Sequence, residues 1–202
     1  MKTWTSRRIP LLIASLLLSA CAAQTVPSDR YYRIALQALD PIKPLADSPQ
    51  IMLEPFQASG VYAERALVYR RPEARGALEQ YRQQFWLELP ALMLTDSLRQ
   101  ALRKAFGDER VQARDARVKV AYVVTPRLRK LDQILGPEGA RAEYEVEFVV
   151  TDEDNETHFV ERVDLVSPLA DTHPQSFADA VGRMAAQANQ QLIDRLARDI
   201  TN

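Results

Sequence analysis

The chain has 202 residues, 47% of them hydrophobic and 26% charged, the balance of an ordinary globular protein of one domain or two small ones. A formal charge of −1 excludes the global basic field that nucleic-acid binding requires. A single cysteine excludes an intramolecular disulfide, so Cys21 needs another explanation.

The first twenty residues read as an export signal. Lys2, Arg7 and Arg8 form a basic start with no acid, and Ile9–Leu18 is an apolar run interrupted only by Pro10 and Ser15. Ten residues are too few to span a bilayer, which takes about 20. The run ends in "LSAC", where Leu18, Ser19 and Ala20 precede Cys21. This resembles the bacterial lipobox. The resemblance implies that Leu18, Ser19 and Ala20 are read by the signal peptidase and that the Cys21 thiol receives a diacylglyceryl group. Cleavage then leaves Cys21 as an N-terminus open to further acylation. Two or more acyl chains give durable anchoring where one does not. The resemblance also implies that Ala22, which is not an aspartate, sorts the protein to the periplasmic face of the outer membrane.

Removal of residues 1–20 takes away Lys2, Arg7 and Arg8 and leaves 23 basic against 27 acidic residues, a formal charge of −4. Such a body does not adhere to anionic lipid by charge alone. Residues 21–30 form an acylated tether, and at about 3.3–3.6 Å per residue its nine links reach roughly 30 Å. Residues 31–202 are expected to form one domain.

Its elements follow in order. "YYRIAL" (Tyr31–Leu36) starts as a strand, a proline-bearing connector covers Asp40–Pro49, and "QIMLEPF" is a second strand. "ALVYRR" and "ALEQYRQQF" flank Pro72 and Gly76 as a hairpin. Leu94, Leu98, Ala101, Leu102, Ala105 and Phe106 then fall three or four apart, predicting a helix over Leu89–Phe106 with Pro90 in its first turn and Gly107 at its end.

"VKVAYVV" alternates, with Val118, Val120, Tyr122 and Val124 on one face, and Pro126 suggests a bulge or an edge where it continues. "AEYEVEFVV" is the clearest strand: Ala142, Tyr144, Val146, Phe148 and Val150 face one way, Glu143, Glu145 and Glu147 the other. After the turn "TDEDNE", "THFVERVDLV" returns as its partner. Its facing stays open, because Val160 and Val166 share a side with His158, Arg162 and Asp164. A terminal helix carries the stripe Phe177, Val181, Met184, Ala188, Leu192, Leu196 and Ile200, with Ser176 and Asp179 as a capping box. The expected fold is α+β: an antiparallel or mixed sheet with two amphipathic helices on one face, in the order β-β-β-β-α-β-β-β-α.

Candidate sites are few. The six glycines, at 60, 76, 107, 136, 139 and 182, supply no phosphate loop, so ATP hydrolysis is expected in another chain. No G-x-S-x-G elbow is present. His158 and His173 lack metal-site spacing and read as ordinary surface or hairpin residues. The three glutamates read as a solvated face, with cross-strand partners such as Arg162. No catalytic residue, metal site or cofactor is expected beyond the acyl chains on Cys21. Tyr62, Tyr69, Phe85 and Trp86 are candidate partner contacts, with core packing as the alternative.

From lipobox to last helix the chain resembles the ABC-type transport auxiliary lipoproteins, which include the Pqi-type lipoprotein of paraquat-inducible lipid transport systems. The resemblance rests on the lipobox, "YYRIAL", "VYAERALVYRR", "EQYRQQFW", the helix "LPALMLTDSLRQALRKAF", a three-strand meander and the terminal helix, in that order. Members usually have an acidic or small residue close after the tryptophan, where this chain has Leu87 and Glu88. The family implies a non-enzymatic docking component, partnered with an MCE-domain protein and an ABC permease and ATPase. Such systems move lipids or other apolar molecules between inner and outer membranes. A homo-oligomer is compatible with it. The alternatives are a structural lipoprotein supporting an outer-membrane protein or lipopolysaccharide export complex, and a periplasmic hydrolase, which would need a deep polar pocket.

Overall fold

The computed structural model describes residues 28–35, 48–113 and 119–201. Residues 1–20, the lipobox cysteine and Val118 lie outside these ranges.

The two apolar stripes form the two helices, and one core joins them to the sheet. Helix α1, Pro90–Phe106, buries Leu94, Leu98, Ala101, Leu102, Ala105 and Phe106. It starts with proline in the first turn, whose missing N–H has no intrahelical partner to lose. Gly107 ends it with a φ of 103°, a conformation open to glycine, and its N–H bonds to the Arg103 carbonyl at 2.9 Å. Helix α2, Pro174–Thr201, buries Phe177, Val181, Met184, Ala188, Leu192 and Leu196. Asn189 of α2 donates to Ser97 of α1 at 3.2 Å. Both helices pack on one face of an eight-stranded mixed sheet, as the stripes predict.

The strands are β1 Arg30–Tyr32, β2 Ile51–Leu53, β3 Ala66–Arg70, β4 Glu79–Trp86, β5 Val111–Ala113, β6 Tyr122–Gly136, β7 Gly139–Thr151 and β8 Thr157–Pro168. The expected hairpin forms as antiparallel β3 and β4. The long strand β6 organises the rest. One of its edges pairs with β7 along its whole length. The other takes β2 in parallel near Tyr122 and β3 in parallel near Gln133. β1 adds to β4 in parallel, β5 adds to β2, and β8 adds to β7.

Four expectations are corrected. The order gains a strand, because the three-residue β5 follows α1 directly and is too short to show an alternation. Pro126 is itself neither bulge nor edge: it pairs with Phe148 in register and accepts from Gln57 N–H at 2.9 Å. The bulge falls between Leu128 and Lys130. Arg129 is the extra residue there, and it flips the parity of the strand, so Leu131 rather than Lys130 faces the core. Helix α2 starts before the proposed capping box. His173 caps it, with Nδ1 accepting the Gln175 N–H at 3.1 Å, and the Ser176 hydroxyl donates to Asp171 at 2.6 Å. Last, the glutamate face of β7 is not simply solvated, since Glu143 and Glu147 are buried.

The open facing of β8 is resolved. Phe159 and Val163 turn to the core, whereas Val160 and Val166 stay exposed beside Arg162 and Asp164.

Candidate interaction surface

Cys21, Leu18, Ser19 and Ala20 lie outside the described residues. The four aromatic candidates do lie within them, and the structure sends them to three places. Trp86 is 1% exposed and packs against Phe177 of α2 at 5.7 Å between centroids, so it is core. Phe85 precedes it on β4 and therefore faces the opposite way. There it stacks on Tyr31 of β1 at 5.8 Å, its partner in register. Tyr62 donates to Asp132 at 2.7 Å, and Tyr69 donates to Glu79 at 2.7 Å while lying 4.4 Å from the ring of Tyr81.

Exposed apolar side chains stand near Phe85, on β1 and on the segment that leads from β4 into α1. Tyr31 is 53% exposed and Leu92 49%, and Leu87 and Leu89 are exposed between them along the chain. Arg65 ties this corner together. Its guanidinium lies 5.3 Å over the Tyr31 ring, Nε donates to the Trp86 carbonyl at 3.1 Å and a terminal nitrogen to the Leu87 carbonyl at 2.7 Å. The Leu87 N–H in turn donates to Tyr32 O at 2.7 Å. Leu92 stands off the buried stripe of α1, on the side of the helix where a polar residue is expected. That misplaced leucine is the sequence signal for this exposure, and the reading of the aromatics alone passes over it.

The face of β6–β8 turned away from the helices is ionic. Glu147 accepts from Arg162 at 2.6 Å, Arg129 at 2.7 Å and Arg127 at 3.3 Å. Hydrogen bonds from Arg162 and Arg129 come first among the causes that hold its carboxyl down to about 2. Arg162 is the cross-strand partner the alternation suggested. The bulge residue Arg129 joins this cluster, beside an open cavity of about 350 Å³ bordered by Gln57, Ser59, Arg127 and Arg129.

Further along the same face, Arg70 bonds Glu143 and lies 3.4 Å from Asp132. Burial raises Asp132 above the usual carboxylate range, against the Tyr62 hydrogen bond and the Arg70 charge. Burial likewise pushes the Tyr81 hydroxyl up to about 12; it donates to Gln133 at 2.9 Å. These groups neutralise one another and stiffen the sheet. Among the described residues no group of three or more His, Cys, Asp or Glu could hold a metal ion. Among the same residues no helix is long and apolar enough to cross a membrane. His173 serves as the helix cap, and His158 lies 3.6 Å from Asp199.

The chain is similar in fold to protein XCC0632 from Xanthomonas campestris, with a TM-score of 0.66 at 16% identity over 81% of this chain and 92% of that one. An uncharacterized protein of known structure gives 0.60 at 10% identity, over 84% and 99%. PelC from Paraburkholderia phytofirmans, crystallised as a dodecamer, gives 0.48 at 10% identity, over 77% and 91%. At these identities the first two likenesses show the fold alone. No curated protein sequence matches the chain. A family model described as the ABC-type transport auxiliary lipoprotein component matches residues 32–200, from the end of β1 to the last turn of α2. The chain belongs to the ABC-type transport auxiliary lipoprotein family.

Proposed function

We propose that this protein is an acylated docking component of an ABC transport system with an MCE-domain partner, of the Pqi type, which moves lipids or other apolar molecules between the inner and outer membranes. The observation that carries the reading is the pairing of a family match over 32–200 with a lipobox a short tether upstream of β1. In this reading residues 1–20 are removed, Cys21 bears the acyl chains, residues 21–30 are the tether and residues 31–202 are the body. Leu18, Ser19 and Ala20 fit the processing enzymes. Ala22 favours the outer membrane, with the body on its periplasmic side. The motor and the permease reside in other chains, and this chain performs no chemistry of its own.

The ionic face and the tightly packed core suit a rigid dock. Glu147 and Glu143 each fix several cationic side chains on one sheet face, so the surface presented there is preorganised. Affinity purification of the full-length protein from detergent-solubilised membranes tests the reading. The expected co-purifying chains are an MCE-domain protein and an ABC ATPase. Recovery of a β-barrel protein or a lipopolysaccharide exporter without either would overturn it in favour of an assembly lipoprotein.

A further inference from the structure

We propose that the corner formed by Tyr31, Leu87, Leu89 and Leu92 is a second membrane contact, seated in the headgroup region of the leaflet that holds the acyl chains. The inference rests on the anchor reading of Cys21 and adds to it an orientation for the whole body.

Three observations point there. First, the exposure is concentrated: Tyr31, Leu87, Leu89 and Leu92 are four of the seven large apolar side chains exposed among the described residues. Leu78 and the β8 residues Val160 and Val166 are the others. Second, this corner is where the tether arrives. Nine links separate Cys21 from Arg30, the first residue of β1, and they reach at most roughly 30 Å. Tyr31 comes next, and the register Tyr31↔Phe85 with the bond from Leu87 N–H to Tyr32 O keeps Leu87 beside it. The lipid surface is thus within reach of the patch at all times, and tethering raises its effective concentration there.

Third, the chemistry is interfacial. A half-exposed tyrosine under a guanidinium, with leucines beside it, presents apolar bodies and polar tips, the arrangement that suits the boundary between acyl chains and water. Arg30, Arg33 and Arg65 are exposed at this corner, with Asp29, Glu64 and Glu88 the acidic residues in the same stretches. Three basic and three acidic residues leave the corner formally neutral on a body of formal charge −4, so it meets less repulsion from anionic headgroups than the acidic remainder does.

The test uses the acylated full-length protein reconstituted in vesicles of phosphatidylethanolamine and phosphatidylglycerol at three to one. Cys21 is the only cysteine, and acylation consumes its thiol, so L92C or V160C supplies one reactive thiol each. Each variant is labelled with a polarity-sensitive fluorophore. Quenching by nitroxide lipids is compared with quenching by aqueous iodide, while flotation and intact mass report the anchor independently. The expected result is a blue-shifted label at position 92, quenched at least threefold more by lipid nitroxide than the label at position 160.

Equal iodide access at both positions in acylated, floating protein would overturn the contact and leave the anchor standing. Shielding at position 92 from both quenchers that grows with protein density would also overturn it, assigning the patch to a second copy or a partner. Protein that neither carries acyl mass nor floats would remove the anchor and this inference with it.

Discussion

Replacing Gly182 with alanine sets two effects of opposite sign against each other. Gly182 lies inside α2, where glycine costs about 1 kcal/mol relative to alanine, so propensity alone predicts a more stable variant. A Cβ at this position, however, would stand 2.6 Å from the Ala35 carbonyl oxygen and 3.4 Å from the Ala35 nitrogen. Both atoms are backbone and belong to the segment that follows β1, so no side-chain rotation relieves the contact. Overpacking of this kind costs about 1–3 kcal/mol, and a clash with backbone sits toward the upper end. The net expectation is a loss of about 1–2 kcal/mol. For a domain of this size that is a fall in Tm of about 2–8 °C. Thermal unfolding followed by far-UV circular dichroism on acyl-free mature protein reads it directly, with R183A, an exposed neighbour, expected within about 0.5 kcal/mol of wild type. A G182A variant that melts higher than wild type would show that the helix does not press on the β1 segment, and the packing described for this corner would be wrong.

Other expectations concern the core, the ionic face and sorting. Tyr144 is fully buried and its hydroxyl has no hydrogen-bond partner among the described residues, so Y144F should leave stability unchanged or raise it by about 1–3 kcal/mol in chemical denaturation; a marked loss would reveal an unseen partner. The Glu147 carboxyl falls from about 4.5 unfolded to about 2 folded, so the stability it contributes is complete above about pH 4.5 and is lost as pH falls through about 2. That shift corresponds to about 3 kcal/mol, but Arg127, Arg129 and Arg162 are 40%, 46% and 66% exposed, and solvent screening brings the expected loss in E147Q to about 1–2 kcal/mol near pH 6. Most of the gap between wild type and variant should close by about pH 2.5, and an undiminished gap there would refute the ionic account. A22D should hold the acylated protein at the inner membrane in sucrose-gradient fractionation; unchanged outer-membrane recovery would contradict the sorting assigned to Ala22.

The sequence was legible where one periodicity governs a whole element. The stripes of α1 and α2 and the alternation of Ala142–Val150 place the core because each runs long enough to fix a face. It was opaque where a local event resets the pattern. The bulge at Arg129 reverses the parity of β6, so Leu128 and Leu131 both face inward although they are three residues apart. The parallel pairings of β1 with β4 and of β2 with β6 join distant segments through three-residue strands that leave no local trace. A Ser-x-x-Asp match misplaced the start of α2, because Pro174 fits the first turn and the His173 ring caps it instead. Of the aromatic candidates, Trp86 and Phe85 part company by strand alternation alone, a separation visible only once β4 is paired on both edges. The buried Glu147 shows the converse: alternation put it on the outer face correctly, but the three arginines that cover it come from two strands and a bulge.

The proposed docking role requires that Cys21 carry the protein on a membrane. Intact mass spectrometry of the mature protein purified from its native membranes, set beside C21S, measures it most directly. The expected result is a chain beginning at Cys21 with at least a diacylglyceryl addition, and a C21S protein that lacks the addition and leaves the membrane fraction. A mature chain with a free Cys21 thiol, or a C21S protein that stays membrane-bound, would contradict the account.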